Sequence, residues 1–546
     1  MDNSQIPVDV WRWLLALAPI LVLLALLVFA RWKAAQAGPI GMFVAALIAL
    51  FAFQTPPETL AVAGGKGVWD AIFILYVIWP ALLLYLVSKR AGAFDALRQG
   101  ITAFSKNELF LVLAFGWIFA TFLQGIAGFG APIAVVAPLL LALGVKPVFA
   151  VAIPLIGHAW ANMFGTLGVS WLATTRVVDL QNPDATAFQT ALLLWIPNLL
   201  AGFFIAWLYG KGPAVQHAWP LVLIVSLIHG GGQLALSQWN PVLANFIPAT
   251  IAVAALYPLS RWKRYAEQPE DVQDRPAMRG ERGGEDQKER EPIMGLAMAL
   301  VPYIVLTLLT VVVLVIPAVE AFLSRLEVGL PFPSAGTGLG LTNEAERPYS
   351  PFSPLTHPGT FLLISSLIAW LVYRARGYYG QWAQREQQKG FWAEMQNNAV
   401  PASLSVVTFL VASQILAHSG QTQVLALGIS EVAPAPVYAA LASVIGILGA
   451  FMTSSNTASN ILFAPLHDTV AASETGLTQS SVIAAQSVGG ATGNAIAPAN
   501  IVLGTGTTGA NSKEGEVLLK TLPFTGLVAL FVGAAMVFLR FQGGGE

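Results

Sequence analysis

The sequence predicts an all-α polytopic membrane protein of about 12–14 transmembrane helices, with two inverted repeats that contain broken or re-entrant helices. Three observations predict it. Hydrophobic residues make up 56% of the chain and charged residues 10%, with a mean hydropathy of +0.67; a soluble domain carries roughly a quarter charged residues. The charges also cluster, because Arg261–Glu291 holds eight of the 28 Lys/Arg and nine of the 29 Asp/Glu. Finally, two apolar tracts, Gly125–Trp171 and Ser454–Gly509, are interrupted by Gly, Asn and Pro at matching places. A net charge of −1 argues against a nucleic-acid partner. The absence of cysteine excludes disulfide and thiol chemistry and says nothing of the compartment.

The first apolar run, Trp11–Ala30, follows Asp2 and Asp9 with no basic residue, the reverse of a secretory signal, and reads as a retained span. Clear spans follow at Pro39–Phe53, Trp69–Val87, Leu109–Gln124, Ala187–Tyr209, Pro220–Leu236 and Val242–Leu259. After the charged segment come Met294–Ile316, Thr360–Tyr373, Pro401–His418, Pro436–Phe451 and Leu522–Phe541. The chain thus divides into an N-terminal membrane half (1–260), a charged cytoplasmic loop (261–292) expected to be disordered, and a C-terminal membrane half (293–546). Placing the short basic loops in the cytoplasm puts the N-terminus, the Pro/Gly-rich loop Leu330–Pro358 and the C-terminus outside. Asp70, Glu320 and Glu431 read as interfacial charges.

The two interrupted tracts resemble each other. Gly128-Phe-Gly130, Ala137-Pro-Leu139 and Gly157-His-Ala-Trp-Ala-Asn162 in the first stand against Ser454-Ser-Asn-Thr457, Ala464-Pro-Leu466 and Gly489-Gly-Ala-Thr-Gly-Asn494 in the second. The offset is 327 at Ala-Pro-Leu and 332 at both Gly157/Gly489 and Asn162/Asn494. The orientation above makes them an inverted repeat. Breaking a helix inside a bilayer strands backbone N–H and C=O groups that lipid cannot satisfy, so such breaks persist beside protein or a water-filled cavity. Paired breaks build substrate sites from half-helix ends, whose N-terminal ends suit an anion.

Within the tracts, His158 titrates in the physiological range and is a candidate for proton coupling and substrate contact, or a structural bridge. His467 and Asp468, the one adjacent acid–base pair there, are candidates for a proton relay or a turn at the membrane edge. Asn162, Ser454, Ser455, Asn456, Thr457, Asn460 and Asn494 offer amides and hydroxyls to a substrate or cap the broken helices. Gly128, Gly130, Gly165 and Gly493 permit close backbone approach. With no Lys or Arg secure inside either tract, helix dipoles must compensate an anionic substrate. No zinc motif, paired intramembrane aspartates or nucleophile elbow supports an enzyme, and no catalytic residue, metal or cofactor is expected.

At Gln124-Gly-Ile-Ala-Gly-Phe-Gly-Ala-Pro132 the sequence resembles the lactate permease family. Gly92-Ala-Phe-Asp-Ala-Leu-Arg98, Leu143-Gly-Val-Lys-Pro147, Phe164-Gly-Thr-Leu-Gly168, Ser455-Asn-Thr-Ala-Ser-Asn460 and Lys513-Glu-Gly-Glu-Val-Leu-Leu-Lys520 carry the likeness over most of the chain. The resemblance implies proton-coupled secondary transport of lactate, glycolate and related monocarboxylates in a cytoplasmic membrane, and adds Gln124 to the substrate-site candidates. Two positions depart from the family pattern: Gln124 stands where a glutamate is frequent, and Asn456 where an aspartate is. An amide keeps the polarity and cannot titrate, which leaves H⁺ or Na⁺ as the coupling ion and another organic anion with Na⁺ as the alternative reading.

Overall fold

The computed structural model describes residues 8–30, 32–103, 105–126, 128, 130–269, 271–279, 292–384, 390–472, 476–510 and 513–543. Ala127 and Phe129 of the first break, and residues 280–291 of the charged loop, lie outside them.

The chain is a bundle of apolar helices. Among the described residues nine helices are long and apolar enough to cross a membrane, or up to eleven if two sharply bent pairs each count as one span. One of the nine, Pro183–Ser237, runs for 55 residues, far more than the roughly 20 that a bilayer needs. It doubles back where Gly210 and Lys211 leave helical geometry, and Ser226 Oγ returns to Asn198 Oδ1 at 2.5 Å. Outward-facing side chains are apolar: Phe43, Phe51 and Leu530 are 60%, 77% and 66% exposed. Only a surface wetted by lipid tolerates that much apolar exposure at so many sites.

The loop at 330–358 is folded rather than open. Val328–Phe332 pairs antiparallel with Glu346–Phe352, and Ala335–Gly336 with Thr342–Asn343. This hairpin layer sits on the Pro57–Arg90 helix through Thr59 Oγ1 to Gly336 O (2.6 Å), Lys66 Nζ to Glu346 Oε1 (2.9 Å) and Trp69 Nε1 to Ser350 O (3.3 Å).

Two expectations need correction. The described part of the charged loop is docked, because its apolar residues are buried: Tyr265, Val272, Ala277 and Met278 pack in, and Arg275 pairs with Glu108 at 2.5 Å. Asp70 is not a solvated interfacial charge like the exposed Glu320 and Glu431. It is fully buried beneath the hairpin layer, where Tyr349 Oη (2.8 Å) and Gln414 Nε2 (3.0 Å) donate to its Oδ2.

Candidate functional site

Each tract contains two breaks, and all four meet. In the first tract Ala120–Ile126 gives way to Ala131–Ala142, and Pro147–Ala159 to Gly165–Val177. In the second, Ala435–Thr453 gives way to Asn456–Ala472, and Gln479–Gly493 to Pro498–Thr508. The chain reverses at these points by leaving right-handed geometry. Gly130 caps its helix at φ 83°, which only glycine adopts without strain, and Gly168 lies at φ 73°. Thr166, Leu167 and Ser454 take φ of 51°, 50° and 55° with side chains attached. Left-handed geometry costs a non-glycine residue about 1–2 kcal/mol, and such strain gathers where a fold serves a site.

The breaks enclose a cavity of about 70 Å³ lined by Gln124, Gly128, Gly130, His158, Asn162, Gly165, Thr166, Val169, Ser170, Ser454, Ser455, Asn456, Thr457, Asn494 and Asn500. At about 10–15 Å³ per water, it takes on the order of five water-sized groups. Among the described residues, no Asp, Glu, Lys or Arg lines it. Every sequence candidate for substrate contact lines it except Asn460 and Gly493, and those two stand just behind. Asn460 Nδ2 donates to Thr174 Oγ1 (3.0 Å) and Ser487 Oγ (3.2 Å), tying the second tract to the helix that leaves the first. A Cβ on Gly493 would crowd Ile447 O at 2.6 Å, so this glycine lets two helices touch.

The tracts also bond directly, Ser170 Oγ lying 2.8 Å from Thr457 Oγ1. Their internal packing is alike. A Cβ on Gly157 would collide with the Gly116 carbonyl, and one on Gly489 with the Ser443 carbonyl. Asn162 Nδ2 turns back to Ala159 O (2.7 Å) and Asn494 Nδ2 to Gly490 O (3.1 Å), each closing the C-terminal end of its half-helix. The outer turns find different neighbours. The first tract's turn is clamped by the charged loop, with Lys146 N–H donating to Ala277 O (2.8 Å) and Arg279 N–H to Gly144 O (2.9 Å). In the second, Gln479 Nε2 donates to Asp179 O (2.9 Å), on the segment that leaves the first tract.

His158 reaches the cavity with its tautomer fixed. A carbonyl can only accept, so Nδ1 donates to Pro154 O at 2.5 Å, and Nε2 has no hydrogen-bond partner among the described residues. His467 and Asp468 part company. His467 is buried between Tyr438 Oη (2.6 Å) and Gln486 Oε1 (3.0 Å), with both nitrogens satisfied in the neutral ring. Asp468 accepts from Gln479 Nε2 at 2.6 Å and faces a separate cavity of about 380 Å³ with Gln181, Asn182 and Ser480. Neither lines the central cavity.

Sequence reasoning missed Thr166, Val169, Ser170 and Asn500 among the lining residues. Asn500 carried a signal, because Pro498 marks a helix start two residues earlier. Ser170, inside an apolar helix, carried little beyond its hydroxyl.

Fold and cavity together define a multi-pass membrane protein that holds a small polar compartment between interrupted helices. The sequence profile of the L-lactate permease family matches residues 12–541, and the chain belongs to that family. It is 26% identical over 550 residues to the glycolate permease GlcA of Escherichia coli (strain K12), covering 95% of this chain and 94% of that one. It is 26% identical over 543 residues to an L-lactate permease of Halalkalibacterium halodurans, with 95% and 94% coverage. An L-lactate permease of Bacillus subtilis (strain 168) is 24% identical over 550 residues, with 96% and 95% coverage. The YdaH transporter of Alcanivorax borkumensis aligns over 88% of this chain and 87% of its own, at 13% identity and a TM-score of 0.43. The three sequence relatives are permeases, and this chain is a transporter rather than an enzyme.

Proposed function

We propose that this protein is a secondary transporter of small 2-hydroxy-monocarboxylates, L-lactate or glycolate, moved with a proton by alternating access in a cytoplasmic membrane. One observation carries the reading: four half-helices begin at the cavity, after Gly130, Gly168, Ser455 and Ala497, and no charged side chain among the described residues lines it. Each helix start presents N–H groups and a positive partial charge of roughly half a unit. Four of them attract one carboxylate without an arginine. Asn456 Oδ1 is a buried acceptor with no partner among the described residues, and suits the hydroxyl of a 2-hydroxy acid. The volume fits a three-carbon acid, and the names of the relatives point the same way.

His158 supplies the coupling. In the neutral ring Nε2 presents a lone pair, which a carboxylate does not favour. Protonated, both nitrogens donate, and Nε2–H offers a charge-assisted hydrogen bond. Anion and proton therefore bind together better than either alone. The matched glycine contacts support an inverted repeat: the carbonyls that receive Gly157 and Gly489 belong to residues 116 and 443, again 327 apart. Alternating access then opens the cavity to each side in turn, with the N-terminus outside and the charged loop inside.

The coupling ion is tested by uptake of labelled L-lactate into proteoliposomes under a pH gradient, a Na⁺ gradient or neither. Accumulation under the pH gradient alone is expected. Na⁺-driven accumulation moves the coupling site to the carbonyls and amides of the breaks. No uptake by folded protein refutes the substrate.

A further inference from the structure

Arg176 lies at the end of the helix whose first turns line the cavity. Val169 lines the cavity, and Arg176 is seven residues on, the same helix face about 10 Å further along. The side chain is 8% exposed and lies under the hairpin layer, where its only hydrogen bond among the described residues is to Ser350 O at 2.5 Å. Its guanidinium stacks 3.6 Å from the Phe73 ring centroid. Asp70 Oδ1 stands 4.0 Å away, too far for a hydrogen bond, and is itself a buried oxygen with no hydrogen bond among the described residues. Tyr349 and Gln414 hold the other oxygen, Oδ2.

A buried ion pair built for stability closes its fork on the carboxylate, because only good geometry offsets desolvation. This pair stays open although both groups are buried. Lys66, the other buried cation here, is paired to Glu346 at 2.9 Å, so the local charges are otherwise balanced. Buried ionisable groups in a membrane protein mark substrate or ion paths.

We infer that Arg176 is a second carboxylate-binding residue, an entry subsite at the hairpin-covered end, and that Asp70 is the internal anion that balances it between substrates. An arriving monocarboxylate takes the bidentate position that Asp70 leaves open, then passes along the Val169 face to the cavity. The inference rests on the proposed carboxylate substrate and adds where that substrate is first held.

The test is the KM for L-lactate uptake in proteoliposomes, for variants that elute as monodisperse protein. Arg176→Gln is expected to raise KM roughly 10–100-fold, the worth of a charge-assisted hydrogen bond. Asp70→Asn lowers KM by removing the competitor. The double variant Asp70→Asn/Arg176→Gln carries no lone buried charge and keeps both shapes, so it serves where Arg176→Gln does not fold. It is expected to keep the raised KM. A double variant with wild-type KM makes the pair merely structural and overturns the subsite, while wild-type uptake still upholds the function. Absence of uptake by the folded wild type removes the function and the subsite together.

Discussion

On the function proposed above, the lining of the cavity predicts the stoichiometry of transport. His158 is the only titratable side chain among the described residues that line it, so the proposed function predicts one proton per monocarboxylate and a cycle that moves no net charge. One pH unit is worth about 1.4 kcal/mol per proton, which sets a tenfold ratio at equilibrium. Proteoliposomes about one unit more alkaline inside therefore accumulate labelled L-lactate roughly tenfold. Clamping the membrane potential with potassium and valinomycin leaves the ratio unchanged. Undissociated lactic acid also crosses protein-free bilayers, so initial rates above that background are the quantity to compare. His158→Gln keeps a polar side chain that cannot titrate. It is expected to exchange labelled for unlabelled lactate and to lose gradient-driven accumulation above background. Undiminished accumulation in folded His158→Gln protein refutes the role of His158. Dependence on potential, or a ratio near one hundred, refutes the single proton.

Three further outcomes follow from the packing. Ser170→Ala and Thr457→Ala each remove the hydroxyl pair that bridges the tracts at 2.8 Å, and a double-mutant cycle by thermal unfolding in detergent should give a coupling of about 1 kcal/mol. Gly489→Ala pushes a methyl into the Ser443 backbone and should lower stability by about 1–3 kcal/mol, whereas Gly506→Ala, with open space around it, should be neutral or slightly stabilising in the same melt. Tyr265→Phe removes the hydroxyl that accepts from Leu221 N–H (3.0 Å) and donates to His217 O (3.2 Å), and should cost about 1–3 kcal/mol while leaving the KM for lactate unchanged.

Most of the site was legible because its signal is local. Glycine, asparagine and serine inside apolar tracts contradict a continuous span, and the same contradiction recurs in the same order in both halves. That is why Gly128, Gly130, Asn162, Asn494 and the 454–457 run were found and do line one cavity. Asn460 and Gly493 were legible as important but not as second-layer residues, since one residue of helical phase decides whether a side chain faces a cavity or its wall. His467-Asp468 shows the same limit: adjacent residues on a helix diverge by about 100°, and this pair serves two separate environments. The hairpin layer was hidden for another reason. Its short strands are stabilised by docking onto the Pro57–Arg90 helix, a long-range fact that Pro and Gly counts read only as loop. Asp70 and Arg176 lie 106 positions apart, and nothing local marks them as neighbours.

The proposed recognition of charge by four helix ends has a genetic consequence. A transporter that grips its substrate through one arginine can lose that grip in a single codon change. Peptide dipoles are encoded by no single codon, so replacing Ser454, Thr457, Asn494 or Asn500 alters the shape and hydrogen bonding of the compartment and leaves its pull on a carboxylate. Selection can then retune which acid is preferred without passing through a form that binds none.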